Sequence, residues 1–284
     1  MKPSIACCFL AVTLIFGSTF GDDSASVDKQ RVAWLLGKIS ARRMVPTRQS
    51  DTPCKLHSEP IFKWSNPVSG AEGAVFVWTS DGRPIAITKN HLNSRKSFYS
   101  ETTNSVSDNL PRMIEGDLVS WEPSEPGVKF EIIDQLGPPA TTASQRLAQM
   151  RRVLREFRIV DNWGQMPASS SAPDLELRIM PTPLFRYSSE SNKIIDGALF
   201  AFAQGTNPEA IVLIEAIETA DGRLVWRAAC SRMTIFPVRA WYKERLVFEA
   251  ERIERINGLN PKGSTIYRFE PLNPFPFPKD PPGQ

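Results

Sequence analysis

The chain has 284 residues, 41% of them hydrophobic, which is enough to bury one large core or two smaller ones. Its formal net charge is +3, or +2 once Lys2 is set aside with an N-terminal leader. That balance excludes a dedicated nucleic-acid binder, which needs a strong basic excess.

Residues 1–21 read as a secretory signal peptide. Lys2 supplies the positive start, Ile5 to Phe16 form the apolar core, and Thr19 and Gly21 offer small residues for cleavage before Asp22. The apolar core follows Cys7 and Cys8, so the order is wrong for a lipoprotein. It is also too short to span a bilayer, and no other apolar run approaches the roughly 20 residues a membrane helix needs. The expectation is export, periplasmic or extracellular, with no transmembrane segment in the mature chain.

A first helix is predicted over 29–39, where Val32, Leu35, Leu36 and Ile39 share a face and Asp28 stands at the N-cap. The segment 60–87 then reads as strands. In "AVFVWT", Ala74, Phe76 and Trp78 face one way, and Val75, Val77 and Thr79 the other. Neither side carries charge, which predicts a strand covered on both faces. "SDGR" (80–83) predicts a tight hairpin, since Asp-Gly supplies the positive φ that such a turn requires. "LGPPATTAS" (136–144) reads as a linker. A second helix follows, with Ser144 near its cap and Leu147, Met150, Leu154 and Phe157 on one face. From 196 to 233 the pattern predicts a meander of three antiparallel strands, with "QGTNP" and Asp221–Gly222 at its turns. Pro237 demotes its strand to an edge or a bulge, and 244–253 adds another strand. The stretch 271–284 is proline-rich and reads as an extended polyproline-II tail.

Segments 60–87 and 183–211 align with one inserted residue. Pro60, Phe62, Ser65, Gly73, Ala74, Phe76, Pro84, Ala86 and Ile87 meet identical residues, Trp64 meets Tyr187, and Glu72 meets Asp196. A spacing this long suggests two copies of a small domain, not a solenoid of short repeats. The fold expected is α+β: two similar units, 22–135 and 145–270, each an amphipathic helix plus a several-stranded antiparallel meander sheet. Their sheets either pack face to face or run on as one.

Chemistry-bearing motifs are sparse. There is no phosphate loop, no dinucleotide glycine fingerprint, no calcium loop and no G-x-S-x-G elbow, so no cofactor is expected. Cys54 lies three residues before His57, but a structural zinc site wants four ligands and no second pair exists. No metal is expected, His57 reads as a strand residue and His91 as exposed loop. Once the leader is removed, Cys54 and Cys230 remain. They make either one disulfide, worth about 5 kcal/mol in the chain-entropy model, or two buried free thiols. Glu215 stands out as an acid among apolar strand neighbours. Arg151, Arg155 and Arg158 form a basic stripe beside the apolar face of the second helix; it is either an anion-binding surface or a solvated face.

"WSNP…GAVFVWTSDGRP" and "LRIMPTPLFRY…DGALFAFAQGTNPE" resemble a family of secreted proteins of planctomycete bacteria, over roughly Arg31 to Phe269. The resemblance implies export and carries no reaction. Members of that family have a histidine-containing strand where this chain has "SFYSETT" (97–103), which argues against base or metal chemistry there.

Three functions compete on these grounds. The first is a non-catalytic extracytoplasmic binding or interaction module, with an envelope protein or polysaccharide as partner. The second is a hydrolase built from Cys54, His57, His91 or Glu215 without a signature. The third is a structural envelope protein.

Overall fold

The structure is a computed structural model and describes residues 20–93, 95–162, 173–253, 263–269 and 277. The leader up to residue 19 and all of the proline-rich tail except Phe277 lie outside the described residues. Helix α1 (Phe20–Ser40) leads into β1 (Arg42–Val45), β2 (Lys55–Leu56), β3 (Phe62–Asn66), β4 (Ala71–Ser80) and β5 (Arg83–Asn93). Next come β6 (Phe98–Ser105), β7 (Arg112–Glu115), β8 (Leu118–Trp121) and β9 (Glu131–Ile132), then a short 3-10 turn and helix α2 (Ala143–Leu154). The remaining strands are β10 (Phe157–Asp161), β11 (Leu175–Glu176), β12 (Arg178–Ile179), β13 (Phe185–Ser189), β14 (Ile194–Gln204) and β15 (Asn207–Glu218). They are followed by β16 (Leu224–Arg232), β17 (Val238–Tyr242), β18 (Arg245–Ala250) and β19 (Ile266–Phe269).

These strands make four antiparallel sheets. The two large ones run β19-β6-β5-β4-β2 with β3 also on β4, and β12-β14-β15-β16-β9 with β13 also on β14. The two small ones run β1-β7-β8 and β11-β10-β17-β18. The large sheets pack face to face. Val75 and Ile87 from one meet Leu199, Ile211, Leu213 and Ala229 from the other in a shared inner core. Each large sheet buries its opposite face under a helix and a small sheet. Ala74, Phe76 and Trp78 pack with Leu35 and Ile39 of α1 and with Met44 and Met113. Phe200 and Phe202 pack with Met150 and Leu154 of α2 and with Ile159 and Ala240. Ala74 to Trp78 of β4 and Ala198 to Ala203 of β14 are therefore apolar on both sides, each buried phenylalanine contributing about 2–3 kcal/mol of burial.

The expected α+β architecture is overturned. Among the described residues strands hold 49% and helices 12%, so the fold is β-rich. The physical reason lies in what covers the sheets. One helix is too narrow to shield a six-stranded sheet, and short strands outside the large sheets complete the cover as small sheets. Nor is each half a closed helix-plus-meander unit. β9 follows the first meander and small sheet but hydrogen-bonds to β16, and β19 follows the second but hydrogen-bonds to β6. Each half thus supplies the last strand of the other's sheet.

Several local expectations are also revised. α1 begins at Phe20, so Asp28 is no cap; its carboxylate pairs instead with Lys63 at 2.5 Å. The cap of α2 is Thr142, which accepts from the Gln145 amide, and not Ser144. The linker is tied to that helix, with Gln149 Nε2 donating to the Pro138 carbonyl and Arg146 Nη1 to that of Ala140. Phe157 and Arg158 belong to β10. β17 is an inner strand, because Pro237 precedes its first residue and needs no amide proton. His91 lies in β5, with its ring against Trp64 and Phe98.

Candidate binding cleft

The site grows out of the first hairpin. Asp81 and Gly82 adopt φ of 45° and 76°, closing a two-residue turn between β4 and β5. The turn drives its tip into the other half. Asp81 accepts from Ser191 Oγ at 2.5 Å, from Ser189 Oγ at 2.8 Å and from the Ser191 amide at 2.9 Å, and these bonds hold its carboxyl below the usual range. It also delivers Arg83, 2% exposed, onto Glu215, which is wholly buried.

Both oxygens of Glu215 are engaged. Oε1 accepts from Arg83 Nε at 3.1 Å and Tyr187 Oη at 2.9 Å, and Oε2 accepts from Arg227 Nε at 2.6 Å. Arg83 turns its other nitrogens to Asp108, at 2.8 and 3.3 Å. Both guanidiniums stack on Phe130, Arg227 at 4.3 Å and Arg83 at 5.2 Å from the ring centre. Burial pushes the Asp108 carboxyl up, but the bond to Arg83 and its charge outweigh this and hold it below the ordinary value. Burial, then the neighbouring Glu215, pushes the Tyr187 hydroxyl well above its ordinary range. The cluster is a clamp between the halves, with both Glu215 oxygens engaged and the Tyr187 proton given to Oε1.

Beside the clamp a cavity of about 840 Å³ opens, lined by Asp108, Val128, Phe130, Arg232, Glu251 and Ile253 among others. Arg232, the last residue of β16, is 8% exposed. It donates through Nη1 to the Glu251 carbonyl, while its Nε is buried without a hydrogen-bond partner. Burial brings its pKa down to about 10, against the opposing charges of Glu125 and Glu251. Arg83 and Arg227, by contrast, are each fixed to a carboxylate. A second cavity, about 860 Å³, is lined by Ile132, Tyr242 and Arg245 among others. Its arginine is exposed and already paired with Glu131.

The residues singled out from sequence fall elsewhere. Cys54 and Cys230 are free and buried, one in the outer core beneath α1, the other in that beneath α2. Burial pushes the Cys54 thiol up to about 12 and raises that of Cys230 further, so neither is a nucleophile near neutral pH. His57 touches Thr79 Oγ1 at 3.3 Å and stacks edge-on against Phe185, while His91 sits with Trp64 and Phe98. The two histidines, Cys54 and Glu215 thus each have their own neighbours. Among the described residues no cluster of three or more His, Cys, Asp and Glu is arranged to hold a metal. The basic stripe is divided. Arg151 donates to the Pro181 carbonyl, Arg155 is exposed, and Arg158 lies 4.0 Å over the Trp241 ring in the small sheet.

Arg83, Asp108 and Arg232 escaped the sequence reading. The turn that carries Arg83 is legible in "SDGR", but its partner Glu215 lies 132 residues away. Arg232 had one available signal, a charge ending the apolar run "LVWRAACSR". Comparisons with protein-family models, curated proteins and solved structures return no match.

Proposed function

We propose that this is an exported, non-catalytic binding module whose ligand site is the cleft beside the Glu215 clamp. The observation that carries this reading is the 840 Å³ cavity, a volume suited to a small molecule, whose wall combines apolar Val128, Phe130, Phe248 and Ile253 with charged side chains, among them Arg232, which has no carboxylate ion-pair partner among the described residues. The groups that would serve a hydrolase support it from the other side. Glu215 is occupied by two guanidiniums and a tyrosine, and the thiols are buried with raised pKa. Export is inferred from the leader pattern, and the matching strand orders of the large sheets favour a duplicated ancestral unit.

The test is a fragment set screened by ligand-observed NMR on the full mature chain, with binders mapped on methyl groups. Binding in the cleft shifts the methyls of Val128 and Ile253 and leaves those of Leu35 and Leu154, in the outer cores, unmoved. Binders that shift only the outer cores would remove the proposal. Export is checked by N-terminal sequencing of the secreted product, which is expected to begin at Asp22.

A further inference from the structure

Among the described residues three arginines are buried, Arg42, Arg83 and Arg232, and two of them hold carboxylates. Arg83 is bound to Glu215 and Asp108. Arg42, 7% exposed, is bound to Glu101, itself fully buried. Each cation removed from water is thereby given a carboxylate, as the cost of burying a charge requires. Arg232 is just as buried, yet among the described residues the one hydrogen bond of its guanidinium goes to a backbone carbonyl, and its Nε has none. It lines the cavity.

We propose that Arg232 makes the cleft a receptor for a small monoanion, a carboxylate carried on an apolar body. The guanidinium supplies donors and charge in a fixed plane, which suits a carboxylate. Val128, Phe130, Phe248 and Ile253 supply apolar wall for the rest of the ligand. Asp108, Glu125, Glu249 and Glu251 line the cleft together with Lys129, Arg232 and Arg252, so acids outnumber cations there and the cleft tolerates one negative group, seated at Arg232. The excess of acids keeps long polyanions out, which separates this site from the stripe of Arg151, Arg155 and Arg158. The inference rests on the reading of the cleft as a binding site and adds the chemistry of the ligand.

The experiment is calorimetric titration of the full mature chain with 3-phenylpropionate and with its neutral amide, alongside methyl spectra reporting on Val128 and Ile253. The acid is expected to bind, the amide about tenfold or more weaker, with loss of one charge-assisted bond. Arg232→Met, which leaves no buried charge behind, is expected to abolish the preference for the acid. Glu125→Gln, at an exposed position, is expected to tighten the acid about two- to fivefold at low salt and leave the amide unchanged. Should Arg232→Met fail to fold, the Glu125→Gln comparison decides alone, and an unchanged affinity for the acid overturns the proposal. If acid and amide bind equally and both shift Val128 and Ile253, the cleft is a binding site but the anion assignment is wrong. If neither compound, nor any fragment, moves those methyls, the binding reading falls with it.

Discussion

Two glycines decide how the aromatic side chains of β3 and β13 sit. A Cβ built on Gly197 would stand 2.4 Å from the Tyr187 ring, and one on Gly73 would stand 2.6 Å from the Trp64 ring. The pairs correspond, since Trp64 lies across from Gly73 and Tyr187 across from Gly197 in their sheets. At Gly73 the nearest atom is the Asn90 carbonyl oxygen, at 2.0 Å, and backbone in a central strand cannot give way. Gly73→Ala is therefore expected to cost more than Gly197→Ala, with both losing about 1–3 kcal/mol or more in urea unfolding. Gly37, with open space around its missing Cβ and a place inside α1, is the counter-case. Gly37→Ala is expected to gain about 0.5–1 kcal/mol from helix propensity. In the clamp, Glu215→Ala leaves Arg227 without a carboxylate and Arg83 with Asp108 alone, and is expected to cost about 3–5 kcal/mol. Asp108 adds a pH dependence. Its folded pKa lies below 3.8, so its contribution is present above that value and fades as pH falls through the folded pKa. Asp108→Asn is expected to flatten the acid limb of Tm against pH, and an unchanged limb would show that Arg83 does not set this carboxyl's affinity for protons.

At the scale of elements, the long strands were readable because both of their faces are apolar. "AVFVWT" and "ALFAFA" lie within β4 and β14, and the meander over 196–233 is β14-β15-β16. Turns with a backbone requirement were readable too: Asp81–Gly82 holds positive φ at both residues, and Gly205 and Gly222 hold it at theirs. Of the small sheets only β17 and β18 were, as the strands expected after Pro237 and over 244–253. Their strands are four to six residues, apart from the two-residue β11. In β1, "RRMV", the burial alternates only partly, and segments this short acquire strand geometry from the neighbour they pair with. Amide exchange should report the same hierarchy. β5, β14 and β15, paired on both sides and covered on both faces, are expected to exchange at the rate of global unfolding. The two-residue edge strands β2 and β12 should exchange through local opening. Equal protection across these strands would contradict the layered burial.

Across the whole molecule, the exchange of β9 and β19 ties the halves more firmly than the linker does. The inner core of Val75, Ile87, Leu199, Ile211 and Leu213 exists only when the large sheets meet. The charges that would otherwise be stranded on those faces are paired across the seam: Arg83 with Glu215, and Lys89 with Glu209 at 3.4 Å. Residues 22–135 and 145–270 expressed apart are each expected to lack native near-ultraviolet circular dichroism. Mixed together they are expected to recover it. A half that unfolds cooperatively on its own would show that the seam is an ordinary domain interface.

The sequence by itself determined the periodic apolar strands, the turns that need positive φ and the two helices, because these depend on neighbours close along the chain. It also marked Glu215 as a buried acid, since a charge inside an apolar strand is anomalous wherever the strand ends up. Tertiary structure alone decided that the sheets pack face to face, that each half finishes the other's sheet, and that Glu215 is held by Arg83. It alone left Arg232 buried without a carboxylate at the wall of a cavity. Those outcomes join residues more than a hundred positions apart, where solvent exclusion and charge pairing act between surfaces and local pattern carries no record of the partner.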